Sequence, residues 1–358
     1  MPYNEQIFIK KRKISIASPS YFIADIAANH DGDLERAKDL IYLAAEAGAD
    51  AAKFQHFKAN TIVSDFGFKK LGSQLSHQNN WEKSVYETYE DASLNIDWTP
   101  VLEETCQKAG IDFFTSPYSI DLIDAVDKYV PAYKIGSGDI TFIEVVEHIA
   151  QKNKPVFLAC GASSMEDVTR AVAAVEKYNK DIILMQCNTN YTASIENYKY
   201  INLNVLNSFK EKFPNIVLGL SDHTFGHATV LGAIALGARV IEKHFTDNNS
   251  RKGPDHKFSM NPLTWKEMVE RSRELEAALG DGIKVVENNE KDTVVLQRRC
   301  LRLTRDVKAG DQLAKDDLEA LRPAPEGSFE PYKLDELIGK TMLTSKPKGD
   351  AVMDKDVR

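Results

Sequence analysis

The chain has 358 residues, 43% hydrophobic, 27% charged and 9% aromatic, a balance that supplies a sizeable core and excludes a disordered, collagenous or coiled-coil chain. Against 53 Asp and Glu stand 45 Lys and Arg, a formal charge of −8, the wrong sign for a protein that coats nucleic acid by neutralising phosphates. At about 150 residues per domain the length allows two domains, or one large α/β barrel of about 250 residues with a small companion.

From the start of the chain, the basic run Lys10-Lys11-Arg12-Lys13 precedes Ile14-Ser15-Ile16-Ala17. Ser18, Pro19, Ser20 and Asp25 break any apolar region, so a short strand pair with an exposed charged turn is expected in place of a signal peptide or a nucleic-acid signal. Short apolar, β-rich runs then recur at 22–27, 51–55, 112–115, 132–135, 156–159, 182–186, 217–220 and 240–243. Between them lie stretches of helical period such as 34–47, 145–151, 165–175 and 228–236. Eight strand–helix units predict a closed (β/α)8 TIM barrel over 1–280; an open doubly wound sheet would show fewer strands, and neither GxGxxG nor GxxxxGK[ST] occurs. The connection after the second strand runs from His56 to about Trp98, rich in Asn, Gln, Ser and Lys. Loops of that length are functional more often than not, and in a barrel this one would lie over the catalytic face.

A helix at 262–279 is followed by Gly280-Asp281-Gly282 and a polar linker, 281–293. From 294 to 358 short strands alternate with Lys- and Gly-bearing turns, reading as a small β-rich domain near the lower size limit for independent folding. It is expected to lean on the barrel or on a second subunit. The longest nearly apolar run, 228–238, falls far short of the roughly 20 residues that span a bilayer. Cys106, Cys160, Cys187 and Cys300 form no CxxC pair, which points away from a zinc knuckle or disulfide framework and toward a reducing, cytoplasmic setting.

Strand C-terminal ends converge on one face of such a barrel. They carry Asp25 and Asn29-His30, then Lys53 and Gln55, Ser116, and Lys134, Ser137 and Asp139. The later strands add Asn188, Thr189, Asn190 and Tyr191, then Ser221, Asp222 and His223, and finally Glu242 and His244. His223 and His244 close adjacent strands at equivalent depth, so two imidazoles can meet one divalent cation that keeps open positions for water and substrate oxygen. A single such His would read more simply as a satisfied polar group near the core. Lys53 and Lys134 lie inside apolar strands, where a charge needs a partner. With Ser116, Ser137 and Ser221 they make a cradle for phosphate and carboxylate, or each pairs with an inward carboxylate such as Asp25 or Glu242. Gly253-Pro254 fixes a turn that aims Asp255 at the barrel mouth. His56, His77, His148 and His227 read as surface or structural groups, and Cys160 and Cys187 as small apolar fillers.

Taken together, Ile23-Ala24-Asp25-Ile26-Ala27-Ala28-Asn29-His30-Asp31-Gly32, Lys53-Phe54-Gln55, Tyr133-Lys134-Ile135-Gly136-Ser137-Gly138-Asp139, Gly219-Leu220-Ser221-Asp222-His223-Thr224 and Glu242-Lys243-His244-Phe245-Thr246-Asp247 resemble the sialic acid synthase family. Gly253-Pro254-Asp255 and Leu321-Arg322-Pro323 extend the likeness into a C-terminal antifreeze-like (SAF) domain. The resemblance implies condensation of phosphoenolpyruvate with an N-acylated amino sugar, N-acetylmannosamine or a close relative, with release of phosphate. It implies His223 and His244 as ligands of a divalent metal, Mn²⁺ first, with Mg²⁺ or Co²⁺ as substitutes. Lys53, Ser116, Lys134, Ser137 and Ser221 become the phosphoenolpyruvate contacts. Asp25, Lys53, Lys134 and Asp139 become the catalytic set, and Gln55, Asn80, Thr189, Tyr191 and Asp255 substrate contacts. Arg322 would reach the acyl group in a partner's barrel, which implies a domain-swapped homodimer.

The chain departs from the family pattern at Asp25 and Asp139, where Glu is usual, and at Ala159-Cys160, which replaces a Ser-Thr pair. Two other readings of the same residues are a metal-dependent sugar aldolase or isomerase, which would release no phosphate, and a carbohydrate-binding paralogue with weakened chemistry.

Overall fold

Strands with both faces buried need a closed sheet or flanking helices, and the eight apolar runs find both in the computed structural model, which describes residues 3–73, 78, 79 and 81–358. The chain divides into two units, Met1–Gly280 and Asp281–Arg358.

The first unit opens with an antiparallel hairpin, β1 (Gln6–Ile9) and β2 (Arg12–Ser15), turning at the exposed Lys10 and Lys11 as the sequence predicts. The barrel strands follow: β3 (Tyr21–Asp25), β4 (Ala51–His56), β5 (Asp112–Pro117) and β6 (Tyr133–Ile135). β7 (Val156–Ala159), β8 (Ile182–Cys187), β9 (Val217–Asp222) and β10 (Ala238–His244) complete the set. All pairings are parallel in the order β5-β4-β3-β10-β9-β8-β7-β6, and β5 lies beside β6 to close the ring. Helices after the strands, among them Leu34–Glu46, Ile143–Gln151, Met165–Glu176 and Ala228–Ala235, pack their apolar stripes on the outside.

Side chains alternate across a strand, and that parity decides what reaches the interior. Inside, Tyr21, Ile23, Ala51, Phe114, Ala132, Phe157, Ala159, Ile183, Met185, Val217 and Val240 form one apolar cluster, joined from below by Ile7, Ile9 and Ile14 of the hairpin. The hairpin thus stoppers the N-terminal end. Gly219 sits in this inward row because a Cβ there would stand 2.8 Å from the Val240 carbonyl oxygen.

The connection after β4, read in the sequence as a polar loop, contains among its described residues the short α-helices Ala59–Ile62, Asp65–Lys70 and Val85–Ala92. Ser84 and Glu87 cap the last reciprocally, a local signal that compositional reading overlooks. The second unit carries a short helix, Lys291–Gln297, where linker and strands were expected. Beyond it β11 (Cys300–Leu303) pairs antiparallel with β12 (Leu318–Leu321) over a core that includes Leu301, Leu303, Leu313, Leu337 and Val352. Among the described residues no helix is long and apolar enough to cross a membrane.

Candidate active site

The inward rows of β3, β4, β6, β9 and β10 continue upward from the apolar cluster as Asp25, Lys53, Lys134, Ser221 and Glu242, each at most 5% exposed. Lys53 Nζ lies 2.6 Å from Asp25 Oδ2 and 3.8 Å from Glu242 Oε1. Lys134 Nζ donates to Glu242 Oε1 at 2.7 Å, and Ser221 Oγ donates to the same oxygen at 3.2 Å. Both lysines are therefore paired with carboxylates, the second of the two arrangements open in the sequence. Burial opposes the Glu242 charge, but Lys134 and Lys53 hold its pKa down to about 2. Burial raises Asp25 above the usual carboxylate range, with Glu242 adding to the effect and Lys53 opposing it. Burial would depress Lys53, yet Asp25 and Glu242 hold it above its ordinary value. The cluster balances two negative and two positive charges.

Three buried polar atoms around it have no hydrogen-bond partner among the described residues: Ser116 Oγ, Glu242 Oε2 and His244 Nδ1. Buried polar groups are nearly always satisfied, so these three, on inward-facing strand positions, mark where a ligand belongs.

At the next level His223 and His244 stand with ring centroids 5.3 Å apart. His223 Nδ1 is 2.9 Å from the Asn188 carbonyl oxygen. That contact makes Nδ1 the protonated nitrogen and leaves Nε2 a free lone pair. His244 Nε2 is 3.6 Å from Asp25 Oδ2, and its Nδ1 is 3.9 Å from Asp255 Oδ2. Burial, above all, lowers both imidazoles to a pKa of about 3, so both are neutral donors at physiological pH. Among the described residues no group of three or more His, Cys, Asp or Glu converges as a ready metal cage. Two neutral imidazoles with an orphaned nitrogen fit a cation that takes its remaining ligands from water and substrate.

A cavity of about 420 Å³ opens above, lined by Gln55, Ser137, Asp139, Tyr191, His244 and Asp255 together with Tyr118 and Gly136. Gln55 Nε2 donates to Asp25 Oδ2 at 3.3 Å, and Ser137 Oγ accepts from Gly161 N at 2.9 Å. Gly161 is required there, since a Cβ would meet Thr189 Cγ2 at 2.8 Å and Ser137 Oγ at 3.0 Å. Thr189, expected as a substrate contact, stands beside Gly161 and is not among the residues lining the cavity. Burial raises Asp139 to about 6 and Asp255 to about 7. The Gly253-Pro254 turn does aim Asp255 inward, where its Oδ2 accepts from Ala28 N at 3.2 Å. His256 fastens that turn through Thr246 Oγ1 at 2.7 Å and Asp31 Oδ1 at 2.9 Å.

Several sequence expectations are corrected. Asp222 faces away from the mouth, paired with Lys243 and accepting from the Thr224 and Thr229 hydroxyls. Lys243 also donates to the Thr224 carbonyl oxygen, so this buried pair clamps the turn that carries His223 to the strand that carries His244. The signal was parity: Lys243 is out of phase with Glu242 and His244. Asn29 is tied behind the site to the Phe245 carbonyl and Ser259 Oγ, both at 2.9 Å, and His30 Nδ1 accepts from Gly32 N. His56 is structural and wholly buried, held by Thr115 Oγ1 and Thr99 Oγ1. Cys160 and Cys187 are buried free thiols whose pKa values burial raises. Sequence reasoning missed Phe57, Ile62, Trp81, Thr88, Tyr89 and Ala92, which the connection after β4 contributes to the cavity. Asn80 and His77 lie outside the described residues. Arg322 belongs to the second unit, where its Nε donates to the Gln297 carbonyl oxygen and its peptide to Pro323 is cis.

With this geometry in view, residues 40–284 match the NeuB family and residues 298–358 the SAF domain. The chain belongs to the NeuB family. It is 34% identical over 341 residues to the N,N'-diacetyllegionaminic acid synthase of Legionella pneumophila, covering 93% of each. It is 35% identical over 342 residues to a pseudaminic acid synthase of Campylobacter jejuni, covering 94% of this chain and 96% of that one. The crystal structure of the N-acetylneuraminic acid synthetase of Leptospira borgpetersenii in complex with citrate aligns with a TM-score of 0.70 at 27% identity, over 81% of this chain and 95% of that one. The two units are therefore the TIM barrel and the SAF domain of this family, whose similar members are sialic-acid-type synthases.

Proposed function

We propose that this NeuB-family chain condenses phosphoenolpyruvate with an N-acylated amino sugar of the N-acetylmannosamine type, forming a nonulosonic acid and releasing inorganic phosphate. The observation that carries the reading is the orphaned set, Ser116 Oγ, Glu242 Oε2 and His244 Nδ1, on the inward strand rows that also carry the buried Lys53 and Lys134, with the cavity above.

His223 and His244 would hold the divalent cation, Mn²⁺ first, through neutral imidazole nitrogens. Bound there, the cation supplies Lewis-acid polarisation of the sugar's aldehyde oxygen. Lys53, Lys134, Ser116, Ser137 and Ser221 bind the phosphate and carboxylate of phosphoenolpyruvate and fix the orientation of C3 toward the aldehyde carbon. The new C–C bond forms as the enol π-electrons of C3 attack that carbon, and the electron-poor C2 then takes up water. Asp25, its carboxylate raised by burial, accepts the water proton as general base. Phosphate departs with the C2–O bond electrons as the former hydroxyl becomes the keto group and gives its proton to the phosphate, while the proton held on Asp25 passes to the oxygen of the former aldehyde.

Asp139, Gln55, Tyr191 and Asp255 line the acceptor space, and Asp25 and Asp139 stand one methylene back from the Glu usual in the family. Arg322 of a second copy would complete the acyl end in a domain-swapped dimer. The test is incubation of the purified protein with Mn²⁺, phosphoenolpyruvate and a panel of N-acylated hexosamines. Phosphate release and a product heavier by the pyruvate unit are expected. Sugar turnover without phosphate would transfer the assignment to an aldolase or isomerase.

A further inference from the structure

At the barrel end opposite the active site, beside the hairpin, lies a second cavity of about 330 Å³, within the range of about 300–1,000 Å³ that small-molecule sites occupy. Its apolar floor is Ile216, Val217 and Leu218, all buried, where the chain enters β9. Ile16, just past β2, covers one side. Lys210, from the helix Val205–Lys212, and Arg239, near the start of β10, bring two positive charges to it, and Glu5 brings one negative.

Neither cation is answered by a carboxylate among the described residues. Arg239 donates from Nε to the Ile16 carbonyl oxygen at 2.8 Å, and from Nη1 to those of Ala238 at 2.7 Å and Ile234 at 3.1 Å. Its Nη2 donates to no described residue. Burial lowers Arg239 below its ordinary range, with the Glu276 charge opposing, but Glu276 is itself committed to Arg273 at 2.8 Å and to the Ser20 amide at 2.6 Å. Lys210 lies over Gly237, where a Cβ would stand 2.9 Å from its Nζ and 3.3 Å from Ile16 Cδ1. Local reasons account for each residue separately. A φ of +95° calls for glycine at 237, and a lysine in the last turn of a helix complements the helix dipole. They leave unexplained why two cations face one recess with backbone carbonyls, and no carboxylate, for partners.

The remaining donors define the ligand. With Nε and Nη1 engaged, Arg239 has no free fork for a doubly charged phosphate, and Glu5 disfavours a second negative charge. A carboxylate can take one oxygen to Arg239 Nη2 and the other to Lys210 Nζ, while an apolar body covers the floor and gains from leaving water. We infer that this cavity is a second ligand site, for a small monocarboxylate with an apolar body, held by Lys210 and Arg239 and separate from the condensation chemistry. Its occupant bridges the hairpin, one outer helix and the starts of the two strands that lead to His223 and His244.

The test is titration calorimetry on the full chain, with phosphoenolpyruvate saturating and a chelator present, so that the anion groups of the active site are occupied and nothing turns over. The probes are 3-phenylpropanoate, its amide, acetate and inorganic phosphate. 3-Phenylpropanoate is expected to bind one to one with a Kd of about 1 mM or tighter; the amide, which lacks the charge, acetate, which lacks the body, and phosphate should each bind at least about tenfold more weakly. Lys210→Met keeps the stem and removes the charge, and Ile16→Glu sets a carboxylate at the open side. Both positions are exposed, so the urea midpoint and the affinity for phosphoenolpyruvate should hold while 3-phenylpropanoate weakens at least about tenfold in each. No saturable binding up to about 10 mM overturns the inference, as does an amide or phosphate within about threefold of 3-phenylpropanoate, or an affinity that both variants leave within about threefold. Failure of phosphoenolpyruvate to bind would count against the synthase reading and leave this site standing on its own probes and variants.

Discussion

Glu242 is the joint of the buried charge cluster, and its replacement by Gln tests the electrostatic account of the site most directly. The substitution keeps the shape and removes one charge. Lys134, 2.7 Å from Glu242 Oε1 and 4% exposed, loses its carboxylate partner, while Lys53 keeps Asp25 at 2.6 Å and loses the contact at 3.8 Å. At an effective dielectric constant of about 20 a pair at that shorter distance attracts by about 6 kcal/mol before desolvation is subtracted. Removing one partner of a buried pair costs about 3–5 kcal/mol in practice. Urea denaturation at neutral pH should show a loss of that size for Glu242→Gln. It should show a comparable loss for Lys134→Met, and much less than their sum for the double variant, a coupling of at least about 2 kcal/mol. The excess positive charge left by Glu242→Gln should also make inorganic phosphate a stabiliser, worth about 2.7 kcal/mol at 100 times its dissociation constant. Additive single effects, or a loss below about 1 kcal/mol for Glu242→Gln, would refute the reasoning.

Three further outcomes follow from particular contacts. Ser116→Ala removes a buried hydroxyl that has no partner, so its denaturation midpoint should hold or rise slightly while the dissociation constant for phosphoenolpyruvate, read by calorimetry, increases about tenfold; a loss of stability with unchanged binding would contradict it. Lys243→Met breaks the clamp on the His223 turn without touching the cavity, and the expected signature is Mn²⁺ affinity, followed by electron paramagnetic resonance, falling about 10- to 100-fold with phosphoenolpyruvate binding little altered; unchanged affinity would reduce the pair to a stability element. Burial holds His30 and His56 at a pKa of about 4 against an ordinary 6.5, so the unfolded chain takes up protons first as pH falls. The stability these neutral imidazoles supply is complete above pH about 6.5 and is lost toward pH about 4, by up to about 1.4 kcal/mol per pH unit for each. His56→Gln should flatten that slope in urea midpoints across the interval, and an unaltered slope would count against it.

The barrel was legible because each of its strands is a short β-rich run between helical stretches, and parallel strands buried on both faces carry that pattern undiluted. The helix Pro262–Leu279 begins at an Asn cap followed by Pro and stops at a glycine, and its limits were readable to the residue. Inward groups were legible for a related reason: Lys53, Lys134 and Glu242 are charges in otherwise apolar strands. What the sequence hid was direction. Asp222 and Glu242 are both acidic residues near strand ends, yet one faces the helices and the other the interior, because parity is fixed only once register is known. The part of the cavity lining that comes from the connection after β4 was hidden differently. Phe57, Ile62, Trp81, Thr88, Tyr89 and Ala92 are scattered through a stretch whose average composition is polar, and only the tertiary fold brings them together at the cavity.

The hairpin that stoppers the barrel's lower end sets the order of events. Ile7, Ile9 and Ile14 join the interior cluster, so among the described residues the interior is closed at its lower end and the cavity opens at the other. A ligand held by Ser116 and Lys134, 1% and 4% exposed, sits deeper than one held by Gln55, Tyr191 and Asp255 at the lining. Traffic through such a shaft is last in, first out: the lower reactant must arrive before the upper one covers it. Steady-state kinetics should therefore be ordered sequential, with an excess of sugar slowing the reaction by occupying the shaft ahead of its partner.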